Sequence, residues 1–210
     1  MTPIQKESLP LILQGCDVIG QGKTGSGKTA AFGLGLLNKL DVKYFRVQCL
    51  ILCPTRELAD QVAKEVRRLA RAIHNIKVLT ICGGAPLGPQ IGSLEHGAHI
   101  VVGTPGRIED HVNKGRLVLE DVHTLVLDEA DRMLDMGFAD DMDAIIAELP
   151  AERQTLLFSA TYPETIAKMS QRVQRDPLTV SVDEEHRAGV IKQTFFETSK
   201  EGRSDALVAL

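Results

Sequence analysis

The segment GKTGSGKT, residues 22–29, has the residue types and the GxxxxGK[ST] spacing of a phosphate-binding loop. Its glycines let backbone N–H groups turn inward around phosphate oxygens, and a following helix would add positive potential from its N-terminus. Lys28 would then reach the β and γ phosphates, and Thr29 would hold Mg²⁺. The alternative is a glycine-rich turn between a strand and a helix. The segment predicts nucleotide contacts from Lys23, Thr24, Gly25, Ser26, Gly27, Lys28 and Thr29.

An acidic pair provides the second half of the predicted site. The run TLVLDEAD, residues 124–131, is a buried strand with Asp128 and Glu129 at its carboxyl end, where ligands bind in open α/β sheets. Asp128 would position Mg²⁺ through water, and Glu129 would activate the water that attacks the γ-phosphate. The alternative is an acidic cap on a helix that begins near Ala130. With Lys28 as the third catalytic residue, the two motifs predict a nucleoside triphosphatase, without separating a helicase from a transporter ATPase or a GTPase.

Apolar runs alternate with amphipathic stretches along the chain. The runs are nearly continuous in Val, Ile and Leu, which is typical of strands covered on both faces. They predict an α/β fold with a mainly parallel sheet and helices on both faces. The predicted strands are DVIGQ, CLILCP, KVLTIC, HIVVGT, TLVLDE, TLLFSA and LTVSV.

Two helices have the clearest sequence signals. One places Leu58, Val62, Val66, Leu69 and Ile73 on a single apolar stripe. The other is the segment TPIQKESLPLILQG, with a threonine able to cap, a proline suited to the first turn and a glycine able to end the helix. Both helices are suited to pack against a face of a parallel sheet.

Bulk composition limits the possible partners and surroundings. The chain has 210 residues, 43% hydrophobic, and a formal net charge of -4, so any nucleic-acid site is a local patch. Its four cysteines include no CxxC pair, and buried reduced thiols are expected at Cys49 and Cys53. No apolar run approaches the roughly 18 residues of a membrane span. We expect a cytoplasmic protein without membrane contacts, monomeric by default.

The letters DEAD at residues 128–131 introduce a family resemblance. The chain resembles the first RecA-like domain of a DEAD-box RNA helicase, with the family's motifs in the family's order. The resemblance extends from residue 1 to about residue 182. The segment at 22–29 resembles motif I, with Gly22 where alanine is usual. The others are PTRELA at 54–59, GG at 83–84, TPGR at 104–107, DEAD itself and SAT at 159–161.

The resemblance implies an RNA surface beside the nucleotide. Arginines follow turn-forming pairs in PTRELA and TPGR, where hydroxyls and backbone N–H groups can bind successive phosphates. RNA is distinguished from DNA by its 2′-hydroxyl, and the scarcity of aromatics favours backbone contacts that are largely independent of sequence. The alternative for either arginine is a solvated surface charge. The implied RNA-binding residues are Pro54, Thr55, Arg56, Gly83, Gly84, Thr104, Pro105, Gly106 and Arg107.

Two further roles are implied. Gln5 resembles the glutamine that reads adenine, since an amide can donate and accept at the N6/N7 edge; the alternative is a surface glutamine. The SAT residues Ser159, Ala160 and Thr161, with Asp131, would couple ATP state to strand separation. The hydroxyls of Ser159 and Thr161 could bond the Asp131 carboxylate, and the alternative is a simple turn at a strand end.

The domain prediction is a first RecA-like domain at residues 1–183, then a linker and the beginning of a second RecA-like domain at 184–210. The family's second domain supplies arginines in HRxGRxGR, which this chain lacks, and an adenine-stacking aromatic normally lies upstream of the glutamine. We therefore expect the chain to bind ATP and Mg²⁺ with weakened adenine affinity, to hydrolyse ATP very slowly and not to unwind RNA.

Several longer stretches, among them CPTRELADQV and RQTLLFSAT, resemble one bacterial subgroup of the family. That resemblance implies that the full-length protein acts on ribosomal RNA in large-subunit assembly. Two other functions remain open on the sequence. One is a nucleotide-controlled RNA clamp that does not hydrolyse ATP, and the other is a P-loop ATPase that acts on DNA or protein.

Overall fold

A computed structural model describes residues 1–182 together with Thr194 and Ser199. The predicted linker and second-domain segment, residues 184–210, therefore lies outside the described residues except at those two positions. Among the described residues, no helix combines the length and the apolar character needed to cross a membrane.

Within residues 1–182, seven strands form one sheet in the order β3-β4-β2-β5-β6-β1-β7, and every neighbouring pair is parallel. All seven predicted strands are confirmed as strands, and so is the α/β class, but burial on both faces is wrong for β7, an edge strand of which only Val180 is buried. The strands are β1 (Val18–Gln21), β2 (Cys49–Leu52), β3 (Val78–Ile81), β4 (Ile100–Gly103), β5 (Thr124–Asp128), β6 (Gln154–Ser159) and β7 (Leu178–Ser181).

Helices connect the strands and cover both faces of the sheet. A single 3₁₀ turn, Ala70–Ala72, follows the third helix. The α-helices are α1 (Pro3–Leu13), α2 (Lys28–Lys39), α3 (Arg56–Leu69), α4 (Leu87–Glu95), α5 (Pro105–Asn113), α6 (Ala130–Asp135), α7 (Ala139–Ala147) and α8 (Glu164–Val173).

The core consists of two apolar layers, one on each face of the sheet. Helices α1 to α3 pack on one face, where Phe32 and Phe158 meet with ring centroids 5.3 Å apart. Helices α5 to α8 pack on the other. Cys49 and Cys53 are both buried, as predicted, and burial raises the pKa of the Cys49 thiol to about 12. Neutral thiols of this kind are packing groups, not nucleophiles.

Two helix ends differ from the sequence prediction. Helix α3 stops at Leu69, so Ile73 lies beyond it and is 36% exposed, which removes it from the predicted stripe. The intervening 3₁₀ turn changes the residue period, and this turns Ile73 away from the sheet. Thr2 is the N-cap residue of α1, but its hydroxyl makes no capping hydrogen bond. The side-chain oxygen of Gln5 accepts from the Thr2 N–H instead, at 3.0 Å.

Because all strand pairs are parallel, every strand ends at the same edge of the sheet. The strand ends, loops and first helical turns that follow β1 to β6 therefore meet there, and together they contain all the predicted motif residues except Gln5. This edge, which we call the carboxyl edge, is where a ligand site is expected in an open parallel sheet.

Candidate functional site

The phosphate-binding loop joins β1 to α2. Gly27 caps α2 with φ +94°, and a Cβ there would come within 2.4 Å of Gln5 Nε2. Both the backbone conformation and the close approach require glycine. The Lys28 side chain is buried, and its ammonium donates to the backbone carbonyls of Gly22 and, at 3.4 Å, Lys23. The loop thus holds the lysine with its own carbonyl oxygens.

The acidic pair lies at the end of β5. Asp128 is 3% exposed, and its Oδ1 makes no hydrogen bond within the described part of the chain. Burial raises its pKa to about 6, although the nearby Lys28 ammonium acts in the opposite direction. A buried carboxylate without a partner is costly, so this oxygen is suited to a ligand that brings positive charge.

Glu129 is held in a strained backbone conformation, with φ +53° and ψ +51°. Such left-handed conformations cost a non-glycine residue of the order of 1 kcal/mol or more, and they concentrate at functional sites. Thr24 Oγ1 donates to Glu129 Oε1 at 3.0 Å, and Arg132 donates to Oε2 at 3.1 Å. The phosphate-binding loop and the acidic pair are therefore in direct contact.

A cavity of about 440 Å³ joins these parts. The phosphate-binding loop forms one wall, and Asp128 and Glu129 lie at its end. The opposite wall is one side of α3, which sequence analysis missed. Only Leu58 and Val62 of this wall belong to the apolar stripe predicted from the sequence, and the polar wall residues lie beside that stripe on the same helix. The α3 residues of this wall are Leu58, Gln61, Val62, Glu65 and Arg68.

Gln5 also lines this cavity, but both ends of its amide are already engaged. Its oxygen accepts from Thr2, and its Nε2 donates to the Gly27 carbonyl at 3.1 Å. The side chain thus ties the start of α1 to the phosphate-binding loop. To read an adenine edge it would have to exchange these partners.

Asp131 and Thr161 join the ends of β5 and β6. The Thr161 N–H and hydroxyl both donate to Asp131 Oδ2, at 3.0 and 2.8 Å. Burial acts to raise the pKa of Asp131, but these hydrogen bonds outweigh it and the pKa is lowered. The Ser159 hydroxyl is buried and makes no hydrogen bond with any described residue. The Thr161 hydroxyl therefore bonds Asp131 directly, while the Ser159 hydroxyl is near enough to that carboxylate to help lower its pKa; Ala160 is exposed between them.

The residues implied in RNA binding follow β2, β3 and β4. Thr55 caps α3, accepting from the Leu58 N–H at 3.2 Å. The Gly83 N–H donates to the Thr104 hydroxyl at 3.2 Å, which joins the loops after β3 and β4. The second of these hydrogen bonds thus joins two strand-end loops at the carboxyl edge, while the first fixes the start of α3 after β2.

The two arginines implied in RNA binding differ in exposure and in the partners of their side chains. Arg56 has a half-exposed side chain and only a loose ion pair with Glu57, at 3.7 Å. Arg107 is partly buried and donates to the Ala85 carbonyl and to Gln90, both at 3.3 Å. Arg56 is thus the more available for a phosphate, while Arg107 also supports the loop after β3.

Strand order separates the two groups of loops. The proposed RNA loops follow β3, β4 and β2, which are neighbours at one side of the sheet. The nucleotide and coupling residues follow β5, β6 and β1, which are the next neighbours. The two groups meet where β2 pairs with β5.

The residues present suit magnesium. Mg²⁺ prefers oxygen ligands and keeps several of its waters, so the protein needs to contribute only a few ligands, such as one carboxylate and one hydroxyl. The unpartnered Asp128 Oδ1 and the Thr29 hydroxyl line the same cavity.

A parallel sheet with a phosphate-binding loop after β1 and an acidic pair after β5 defines a P-loop domain of the RecA-like type. The comparison with known families assigns it further, because the DEAD/DEAH box helicase model matches residues 2–169. The chain belongs to the DEAD/DEAH box helicase family.

Two curated relatives extend this result. The chain is 59% identical over all 210 residues to the ATP-dependent RNA helicase DbpA of Escherichia coli K12, covering 46% of that protein. It is 49% identical, again over its full length, to the DEAD-box ATP-dependent RNA helicase CshA of Geobacillus kaustophilus, covering 45%. The chain therefore spans about half the length of the curated relatives it matches. The predicted resemblance to a bacterial subgroup agrees with the first of them.

A solved structure agrees with the fold. The crystal structure of a DEAD box protein from the hyperthermophile Methanococcus jannaschii superposes with a TM-score of 0.83 at 40% identity, covering 99% of this chain and 56% of that one.

Proposed function

We propose that this chain is the ATP- and RNA-binding first domain of an RNA helicase whose full-length form couples ATP hydrolysis to local unwinding of RNA duplexes. The observation that supports this most strongly is the single cavity bounded by Lys28, Asp128 and Glu129. The names of the relatives support RNA as the substrate class. A role in ribosomal RNA or large-subunit assembly is part of the proposal for the full-length protein and rests on subgroup resemblance.

ATP would enter with its phosphates against the loop at residues 22–29. Lys28 would exchange the carbonyls of Gly22 and Lys23 for the β and γ phosphates, so that its charge stays paired throughout. Bound Mg²⁺ would neutralise phosphate charge, with Thr29 and, through water, Asp128 holding it. Glu129, kept in place by Thr24 and Arg132, would orient and deprotonate the attacking water.

RNA would bind as a single strand across the loops after β2, β3 and β4. Hydroxyls of Thr55 and Thr104, backbone N–H groups near Gly84 and the Arg56 guanidinium are the phosphate donors we propose. These contacts would be independent of base sequence. The second RecA-like domain of the same protein would supply the arginines that complete the γ-phosphate site, a contribution of about 10³–10⁵ in rate in comparable systems.

The nucleotide site is tested by calorimetric titration of ADP and of GDP, each with Mg²⁺, on this chain and on Lys28→Ala. We expect ADP to bind in preference to GDP. We expect Lys28→Ala to weaken ADP binding by at least about tenfold, because a charge-assisted contact to phosphate is lost. Lys168→Ala, which removes an exposed lysine of α8, is the control and should leave ADP affinity unchanged.

The same titration isolates Gln5. Equal affinity for ADP and GDP, both abolished by Lys28→Ala, would keep the phosphate site and contradict adenine reading by Gln5. Undetectable ADP binding at millimolar concentration would contradict a nucleotide site that functions within this chain.

Substrate class has its own test. We expect single-stranded RNA to compete for the chain better than DNA of the same sequence, because only RNA offers 2′-hydroxyls. Arg56→Gln should weaken RNA binding about equally for unrelated sequences, since it removes a backbone contact, and Arg71→Gln should not. Equal binding of RNA and DNA would favour a P-loop ATPase with another substrate.

A further inference from the structure

A second polar pocket lies at the edge of the sheet opposite the nucleotide site. We call it the basic pocket; its volume is about 310 Å³. Its residues come from the segments that lead into β1, β5, β6 and β7, from the first residue of β6 and from the end of α2, so it is separated from the carboxyl edge by the length of the strands. The residues that line it are Gly15, Lys39, His123, Glu152, Arg153, Gln154 and Arg175.

The floor of the basic pocket is held in place by Gln154. This side chain is buried, and its Nε2 donates to the carbonyls of Ile12 and Cys16, at 3.0 and 2.6 Å. Its Oε1 is left to accept from Lys39 Nζ, at 2.6 Å. This is the one hydrogen bond that the Lys39 ammonium makes with the described residues, so two of its three N–H donors remain for another partner.

Two further nitrogen atoms of the pocket residues have no partner among the described residues. Arg153 donates through its terminal nitrogens to the carbonyls of Pro150 and Val173, but its Nε is buried and unbonded. His123 bonds the Thr124 hydroxyl through Nδ1, and its Nε2 is buried and unbonded. Native proteins rarely leave buried donors unsatisfied without a reason.

Two carboxylates lie near these groups, but neither makes a close ion pair with them. The charge of Asp17 acts to raise the pKa values of Lys39 and Arg153, although its two oxygens accept from the backbone N–H groups of Thr155 and Arg175 and from neither basic side chain. Glu152 is 95% exposed and lies 4.0 Å from the Arg175 guanidinium, a distance at which an exposed ion pair contributes little.

The basic side chains also act on one another. Burial lowers the pKa of His123, and the Lys39 charge lowers it further. Burial lowers the pKa of Arg153, Asp17 opposes this change, and the Arg175 charge adds to it. Like charges gathered at one concave surface repel, and a bound anion would relieve that repulsion.

We propose that the basic pocket binds a phosphate group, with Lys39 and Arg175 as its main contacts and with Gln154 positioning Lys39. The shared chemistry is a tetrahedral oxyanion, which suits ammonium and guanidinium donors. Its source is either the backbone of an RNA strand that extends past the carboxyl edge or a free phosphate ion. The site does not depend on the proposed nucleotide function, because no residue of the nucleotide cavity belongs to it.

The test is a titration of the ¹⁵N-labelled chain with inorganic phosphate, followed through its backbone amide signals. We expect saturable shifts at Gly15, Gln154 and Arg175, separate from any shifts at residues 22–29. Arg175→Gln and Lys39→Gln should each weaken this binding by about tenfold or more, since each removes a charged donor. Arg71→Gln and Lys168→Gln are the controls for the same change of charge at exposed positions.

A second arm adds a short single-stranded RNA to the phosphate-bound chain. Loss of the phosphate-induced shifts, with new shifts at the same three residues, would support the proposal and identify RNA as the source. Phosphate shifts unchanged by RNA would support it with free phosphate as the source. Absence of saturable shifts at the pocket, or equal phosphate affinity in Arg175→Gln and Arg71→Gln, would overturn it.

Discussion

Asp128→Asn is expected to stabilise the metal-free, nucleotide-free chain at pH 8, raising its free energy of unfolding by about 2–3 kcal/mol. The reason is the buried carboxylate at the end of β5, which has an unbonded oxygen and a pKa raised to about 6 by burial. An amide of the same shape removes the charge that the folded state tolerates poorly. Asp128, the residue proposed to position the metal, would thus lower the stability of the fold when no metal is bound.

The stabilisation expected for Asp128→Asn should depend on pH. A carboxyl whose pKa is higher in the folded state than in the unfolded state destabilises the fold when ionised, so its cost is complete above about pH 6 and disappears by about pH 4. Urea unfolding at pH 8 and near pH 4, with a chelator present, should therefore show a gain for Asp128→Asn only at the higher pH.

Asp131→Asn is the matched control, three residues along the chain. Its carboxylate accepts two hydrogen bonds from Thr161 and its pKa is lowered, so we expect this change to destabilise the chain at pH 8 by about 1 kcal/mol. Destabilisation by both changes at pH 8 would contradict an uncompensated charge at Asp128.

Glu129→Gln is expected to lower ATP turnover by about 10²–10⁴-fold in a longer protein that carries the proposed second RecA-like domain. Glutamine keeps the oxygen that accepts from Thr24 but cannot take a proton from water. Nucleotide and RNA affinities should change little, because phosphate binding depends on Lys28 and the loop. Single-turnover hydrolysis, measured beside equilibrium binding, separates the two effects.

Glu65→Gln provides the control for that experiment. It makes the same change of carboxylate to amide in the wall of the same cavity, where Glu65 pairs with Arg68. Turnover should remain within about twofold of the original, as expected for loss of an exposed ion pair. A cellular function that survived Glu129→Gln would favour the alternative of an RNA clamp that does not depend on hydrolysis.

Sequence predicted the strands, the fold class and the placement of the motifs for one physical reason. Strands buried on both faces are nearly continuous in branched apolar residues, and parallel strands bring their ends to one edge. Once Val18–Gln21 and Thr124–Asp128 were recognised as strands, the phosphate-binding loop and the acidic pair had to lie at that edge.

What sequence did not predict are the partners that individual side chains choose. Gln5 bonds the Gly27 carbonyl, twenty-two positions away, and Lys28 bonds the carbonyls of its own loop. Ser159 and Thr161 both have hydroxyls near Asp131, and the Thr161 hydroxyl makes the close hydrogen bond at 2.8 Å. Which hydrogen bond forms depends on differences of about an ångström in the relative positions of distant segments. Sequence patterns do not specify positions to that precision.

The link from Thr2 through Gln5 to Gly27 has a consequence for experiments on this protein. If an adenine base takes over the Gln5 amide, the first turn of α1 loses its attachment to the phosphate-binding loop. By thermodynamic reciprocity, anything that disturbs that first turn must then alter nucleotide affinity. A purification tag or dye attached immediately before Thr2 would report on nucleotide binding and bias it at the same time, whereas a label on the exposed face of α8 would do neither.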